Sequence, residues 1–189
     1  MKPFVKLLVL FTILFFQQSP LFAQLRITPA TSIVNDLKKV IEDYPSHFDH
    51  LLGELIMQNP QSADYTCNFK VNGAEECSIT RYTGKKKAAS WQAVMLTTES
   101  FEDAKKKFKS LFGQINQLAI RSMRLKGVYD TPVEEKKFSS VLFYLDPSDP
   151  AVSKLRVELV LEAEQMDWKV KLLIYDRERE DEERGEVIE

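Results

Sequence analysis

The chain has 189 residues, 26 basic and 28 acidic side chains, a formal charge of −2 and 44% hydrophobic residues. That is enough apolar material for one well-packed domain, and it excludes a low-complexity or disordered chain. The mildly acidic balance argues against a nucleic-acid partner, whose phosphates would require a basic face.

Lys2 and Lys6 punctuate the start of an apolar run, Leu7 to Phe16, which leads into Gln17-Gln18-Ser19-Pro20 and Leu21-Phe22-Ala23. This pattern reads as a secretory signal peptide over residues 1–23, cut after Ala23. The run is shorter than the ~20 residues a spanning helix needs, and no later stretch is uniformly apolar, so no transmembrane segment is expected. No cysteine stands beside the cut, so a lipid anchor has no attachment point. The expected product is soluble and secreted or periplasmic, with a single α+β domain over residues 24–176 and a charged C-terminal tail over 177–189.

A helix is expected from Thr31-Ser32, where a hydroxyl can cap the first free amides. Ile33, Val34, Leu37, Val40, Ile41 and Tyr44 recur at three and four and make one apolar stripe. Pro45 ends this helix, and Ser46 to Leu52 reads as a further short helical turn stopped at Gly53. After Asn59-Pro60-Gln61-Ser62 come three strands, Tyr65 to Val71, Glu75 to Thr83 and Ala88 to Thr98, the last entered through Lys85-Lys86-Lys87. The strongest helical pattern follows. Phe101, Ala104, Phe108, Leu111, Phe112, Ile115 and Leu118 share a face, with Ser100 placed as its cap. Strands are then expected over Ser122 to Tyr129 and Lys137 to Leu145, with Asp146 to Pro150 as a break.

The last ribbon, Leu155 to Asp176, alternates most cleanly. Leu155, Val157, Leu159, Leu161 and Ala163 face inward, as do Trp168, Val170, Leu172 and Ile174, around a Gln165-Met166-Asp167 link. The order is therefore α-βββ-α-ββββ, a curved antiparallel sheet of about seven strands with two main helices on one face. It has the look of a duplicated αβββ unit, although residue identity between the halves is too low to establish a repeat. At the level of topology it resembles helix-on-curved-sheet proteins such as secretion chaperones and other exported recognition modules, which carries little functional content.

Cys67 and Cys77 are the only cysteines, and in an oxidising compartment such a pair is read as a disulfide. The bond makes a demand on register. A two-residue Asn72-Gly73 turn would set Cys67 opposite Ser78, with the sulfurs on opposite faces. A three-residue Val71-Asn72-Gly73 loop, with Gly73 left-handed, sets Cys67 opposite Cys77.

For metal chemistry the chain offers Asp43, His47, His50 and Glu54, spaced four, three and four as on one helix face. Pro45 and Gly53 interrupt that helix, so His47 and His50 are read as lying on a polar connector, with a zinc or copper site there as the competing reading. No Gly-x-Ser-x-Gly elbow and no phosphate-cradling glycine loop is present, and no cofactor is called for. The lysine groups Lys85 to Lys87 and Lys105 to Lys109 read as solvated surface, with an acidic partner or anionic lipid as the alternative. The function expected is an exported binding or interaction module without catalysis, holding a protein or small-molecule ligand on the open sheet face or in a cleft. Trp91 on one face of its strand, and Val94 with Leu96 on the other, leave an apolar face for a ligand, the tail or a homodimer partner. The alternative is a metal-binding protein or metal-dependent enzyme using His47 and His50.

Overall fold

In the computed structural model, residues 33–84, 88–120, 123–145 and 152–177 are described. The expected signal peptide, the Thr31-Ser32 cap, the loop lysines 85–87, the break at 146–150 and the tail beyond Arg177 lie outside them.

The first helix, α1, spans Ile33–Asp43 and buries Ile33, Leu37, Val40 and Ile41, the stripe read from the sequence. It also buries Asp36, whose carboxylate accepts the Asn72 amide at 2.9 Å. After α1 come two short 3₁₀ turns, Tyr44–Ser46 and Asp49–Leu51. Between them His47 and Phe48 adopt φ of 53° and 60°, left-handed values that cost L residues of this size energy unless the surroundings hold them. Phe48 is held by burial in the core beside Tyr44.

Seven strands form one antiparallel sheet. In chain order its members are β1 (Leu52–Gln58), β2 (Ser62–Cys67), β3 (Glu76–Tyr82), β4 (Ala89–Thr98), β7 (Phe138–Phe143), β8 (Leu155–Glu164) and β9 (Asp167–Asp176). The spatial order is β1-β2-β3-β4-β9-β8-β7, so the two meanders meet where β4 pairs with β9, and the sheet stays open. The second helix, α2 (Phe101–Ile115), lies across β4, β9 and β8. The Ser100 hydroxyl caps it by accepting the Asp103 amide at 3.2 Å. Both helices pack into one core with Trp91, Phe108, Phe143, Leu159 and Leu172. A two-stranded ribbon, β5 (Ala119–Ile120) with β6 (Met123–Arg124), stands apart from the sheet.

The α+β class, the seven antiparallel strands, the two helices and the alternation of helix and meander are those read from the sequence. Individual strands differ. β1 occupies the stretch between the helical turn expected to stop at Gly53 and the loop expected at Asn59, where the sequence predicts no strand, while the strand expected over Ser122 to Tyr129 is confined, among the described residues, to β6 and an isolated bridge between Lys126 and Tyr144. β1 escapes a period-two reading because its register slips twice against β2: Leu52 faces Cys67, Leu55 faces Tyr65 and Met57 faces Asp64. Gly53, read as a helix stop, is needed instead for close approach. A Cβ there would stand 2.3 Å from Thr66 Oγ1 and 2.8 Å from the Thr66 carbonyl oxygen. The Thr66 hydroxyl in turn accepts the Glu54 amide at 2.8 Å, satisfying a donor that the slipped ladder leaves over.

Cys67 and Cys77 are joined in a disulfide, with Cα atoms 5.6 Å apart. Thr66 pairs with Ser78, so continuing the register sets Cys67 against Cys77. The ladder then opens, because Asn68 turns to bond the carbonyls of His50 and Leu52, and Val71 and Ala74 enter the core. The chain reverses in a Val71 to Ala74 turn with Gly73 at φ 78°, a position that favours glycine. The final hairpin is tighter than expected: Asp167 pairs with Glu164, leaving Gln165 and Met166 as a two-residue loop.

The cysteines are separated by ten positions, so closing this small ring in the unfolded chain accounts for about 2 to 3 kcal/mol. The Cys67→Ser, Cys77→Ser double variant is therefore expected to fold but to lose that amount in urea unfolding. A loss below about 1 kcal/mol would mean that the unfolded chain already holds the hairpin.

Candidate functional site

The four metal candidates do not share a face. Asp43 ends α1, His47 and His50 lie on the two-turn connector, and Glu54 sits in β1. The left-handed pair at His47 and Phe48 reverses the chain, so helical spacing no longer measures proximity. Asp43 and His50 do meet, with His50 Nδ1 2.6 Å from Asp43 Oδ1 and the His50 amide donating to Oδ2 at 3.2 Å. His47 offers its carbonyl to Arg81 Nη2 at 3.2 Å, and Arg81 also bonds Asp49. Among the described residues no three His, Cys, Asp or Glu side chains converge as ligands.

The Asp43 hydrogen bond, followed by its negative charge, raises the His50 pKa above the ordinary 6.5. On α2, Lys105 pairs with Glu102 at 3.6 Å and Lys106 with Asp103 at 3.9 Å, so part of the lysine group answers acids on its own helix.

The sheet face turned away from the helices is organised in rows across the strands. Thr66, Ser78, Gln92, Leu173, Glu158 and Leu142 face one another in succession from β2 to β7. Beside them run Glu76, Val94, Lys171 and Val160. Val160, Leu173 and Tyr175 form a small buried apolar cluster on this face, and Tyr175 donates to Glu158 at 3.0 Å. Lys171 lies 2.6 Å from Glu162 and also bonds Glu164, which Lys169 reaches at 2.5 Å. Burial opposes the Lys171 ammonium, yet the hydrogen bonds it donates to Glu162 and Glu164 outweigh that and raise its pKa. Lys169 and then Lys171 hold Glu164 down to about 2. These Lys and Glu side chains thus form a joined network on β8 and β9.

At the β2–β4 end of the same face lies a depression of about 360 Å³, near the lower limit of small-molecule sites. Thr66, Ser78 and Gln92 supply two hydroxyls and an amide, Val94 and Ile56 add apolar wall, and Lys70, Glu75 and Glu76 bring both signs of charge. The disulfide borders it and fixes the two strands beneath. Lys70 Nζ donates to the Glu75 carbonyl at 3.1 Å, tying the two ends of the hairpin loop together. Hydroxyl, amide and carboxylate groups on one surface can hold a compact polar molecule by hydrogen bonds. They include no activated nucleophile and no base oriented by a third group.

Sequence reasoning missed Ser78 and Gln92 as site residues because alternate polar residues on a strand carry the same signal whether they floor a depression or face bulk water. The opposition of Glu75-Glu76 to Lys70 across the hairpin was the one available cue. Leu96, expected beside Val94, faces the core instead: the β4 register slips at Met95, and Leu96 pairs with Val170. No helix among the described residues is long and apolar enough to cross a membrane. Compared with protein families, curated proteins and solved structures, the chain matches none.

Because the folded His50 pKa is raised, the Asp43 contact contributes fully below pH 6.5 and is lost as pH rises through the folded value. An NMR titration of His50 is expected to give a midpoint above 6.5, and Asp43→Asn to return it to the ordinary value. A midpoint that ignores the substitution would show that the carboxylate is not the cause.

Proposed function

We propose that the protein is an exported, non-catalytic binding module that holds a compact polar ligand on the open face of its sheet. The observation that carries this reading is the depression bordered by the disulfide, whose lining brings Ser78 and Gln92 together with Lys70, Glu75 and Glu76. A disulfide under a binding surface suits an oxidising compartment, in keeping with the signal peptide read at residues 1–23. Rigid strands below, with Thr66, Ser78 and Gln92 set beside the apolar Ile56 and Val94 and both signs of charge in the lining, favour recognition by orientation.

The test is native mass spectrometry of protein exported to a periplasm and purified gently without chelator, with Ser78→Trp in parallel. The wild type is expected to start at Gln24, to carry the disulfide and to hold an adduct that leaves on denaturation. Ser78→Trp fills the depression and is expected to lose that adduct with an unchanged melting temperature. A bare wild type, or an adduct kept by Ser78→Trp, overturns the open-face site. A metal adduct removed instead by His47→Ala with His50→Ala would move function to the connector.

A further inference from the structure

Charge is handled in two ways on the open face of the sheet. On the β8–β9 side, Glu162 and Glu164 are bonded by Lys169 and Lys171, and Glu158 accepts from Tyr175. Those groups are taken up by one another. In the depression over β2 to β4 they are not. Lys70 Nζ places one of an ammonium's three N–H donors on the Glu75 carbonyl, at 3.1 Å. Among the described residues it forms no ion pair with Glu75 or Glu76, although all three line the same space of about 360 Å³. The half-buried Ser78 hydroxyl and Gln92 carboxamide also have no hydrogen-bond partner among the described residues. One hollow therefore gathers an ammonium, a carboxylate, a hydroxyl and a carboxamide whose bonding capacity the fold leaves open.

The register sets these groups in rows. Ser78 faces Gln92 across the β3–β4 ladder, and Glu76 faces Val94 in the next row on the same side. Glu75, just ahead of β3, donates its amide to the Val94 carbonyl at 2.7 Å while its own carbonyl holds Lys70. The ammonium is thus anchored one residue from Glu76, at the Val94 end of the hollow. A molecule that answers both groups must carry opposite charges on neighbouring atoms, with an apolar substituent beside them. Resting on the open-face reading above, we propose that the ligand is a free α-amino acid with a short aliphatic side chain. Its carboxylate takes the remaining N–H donors of Lys70, its ammonium meets Glu76, and Ser78 and Gln92 supply the neutral hydrogen bonds. The side chain rests against Val94 and Ile56. Hydrogen bonds between charged groups are the stronger class, so the two ends of the ligand dominate its affinity. The same two groups reject near relatives. A plain amine brings its charge to Lys70 with no carboxylate to offset it, and a plain carboxylic acid brings its charge to Glu76. A hollow near the lower limit of small-molecule sites suits a ligand of this size.

The test follows the Ser78 and Gln92 amide signals by NMR in the mature, disulfide-closed protein while alanine, valine or leucine is added. The controls are the amide and the N-acetyl derivative of whichever binds tightest, which keep only the positive or only the negative end. At least one amino acid is expected to shift both signals saturably, and both derivatives to bind about tenfold or more weakly. Lys70→Gln is expected to erase the preference over the amide derivative, and Glu76→Gln the preference over the N-acetyl derivative. Both side chains are exposed, so the melting temperature is expected to stay unchanged. No shift with any of the three, a derivative that binds as well as its parent, or a preference untouched by both variants overturns the amino-acid reading. Ser78→Trp separates that failure from failure of the site. An adduct of other chemistry that Ser78→Trp removes leaves the open-face site standing without this ligand, whereas amino-acid binding that persists in Ser78→Trp overturns both.

Discussion

Everything in this fold depends on the pairing of β4 with β9. These strands come from opposite sides of α2, and their ladder from Ser90–Tyr175 to Thr98–Trp168 is the seam that makes one sheet from two meanders. Without it, each meander would present an apolar face with one helix to cover it. With it, Trp91, Ala93, Val170, Leu172 and Ile174 become the floor on which both helices rest. The seam joins residues about 75 positions apart in sequence, so its loop-closure entropy must be met before its contacts form. The burial it permits is what makes that cost bearable for a chain of this size.

What could be read from the sequence follows where a regular period met a regular element. The Leu155 to Asp176 ribbon alternates through most of its length, and its inward residues are buried apart from the half-buried Ala163, with Val160, Leu173 and Tyr175 buried on the outer face as well. α2 declared itself through Phe101, Ala104, Phe108 and Leu111 at helical spacing, with Ser100 as cap. β1 was hidden because two slips remove alternation from a stretch that also contains glycine. Leu96 was placed on the wrong face because one extra residue at Met95 reverses the parity of everything after it. Periodicity sees neither event, since both are settled by what the neighbouring strand accommodates.

The candidate sites divide along the same line. Spacing alone assembled Asp43, His47, His50 and Glu54, and spacing translates into proximity only along an unbroken helix. Pro45 ends that helix, and the left-handed residues 47 and 48 turn the chain back so that Asp43 meets His50 while Glu54 leaves in a strand. The cysteine pair was legible because a disulfide imposes a geometric condition that the Gly73 reversal can meet. Ser78, Gln92 and Lys70 come together through register across three strands and a folded-back loop, information that no single stretch of the chain contains.

The slip at Met95 gives β4 two different jobs. Ahead of it, the even-numbered residues Ser90, Gln92 and Val94 belong to the open face; after it, Leu96 and Thr98 turn toward β9's inward residues Val170 and Trp168, and Thr97 is the one exposed. The strand's tolerance for polar substitution therefore changes phase halfway along its length. In one half the even positions answer to the open face, where Gln92 stays half-exposed, and in the other they answer to the core side, so each half draws on its own alphabet of side chains. Any lineage that deleted a single residue near Met95 would have to exchange those two alphabets at once, which makes the length of this strand harder to vary than most of its side chains.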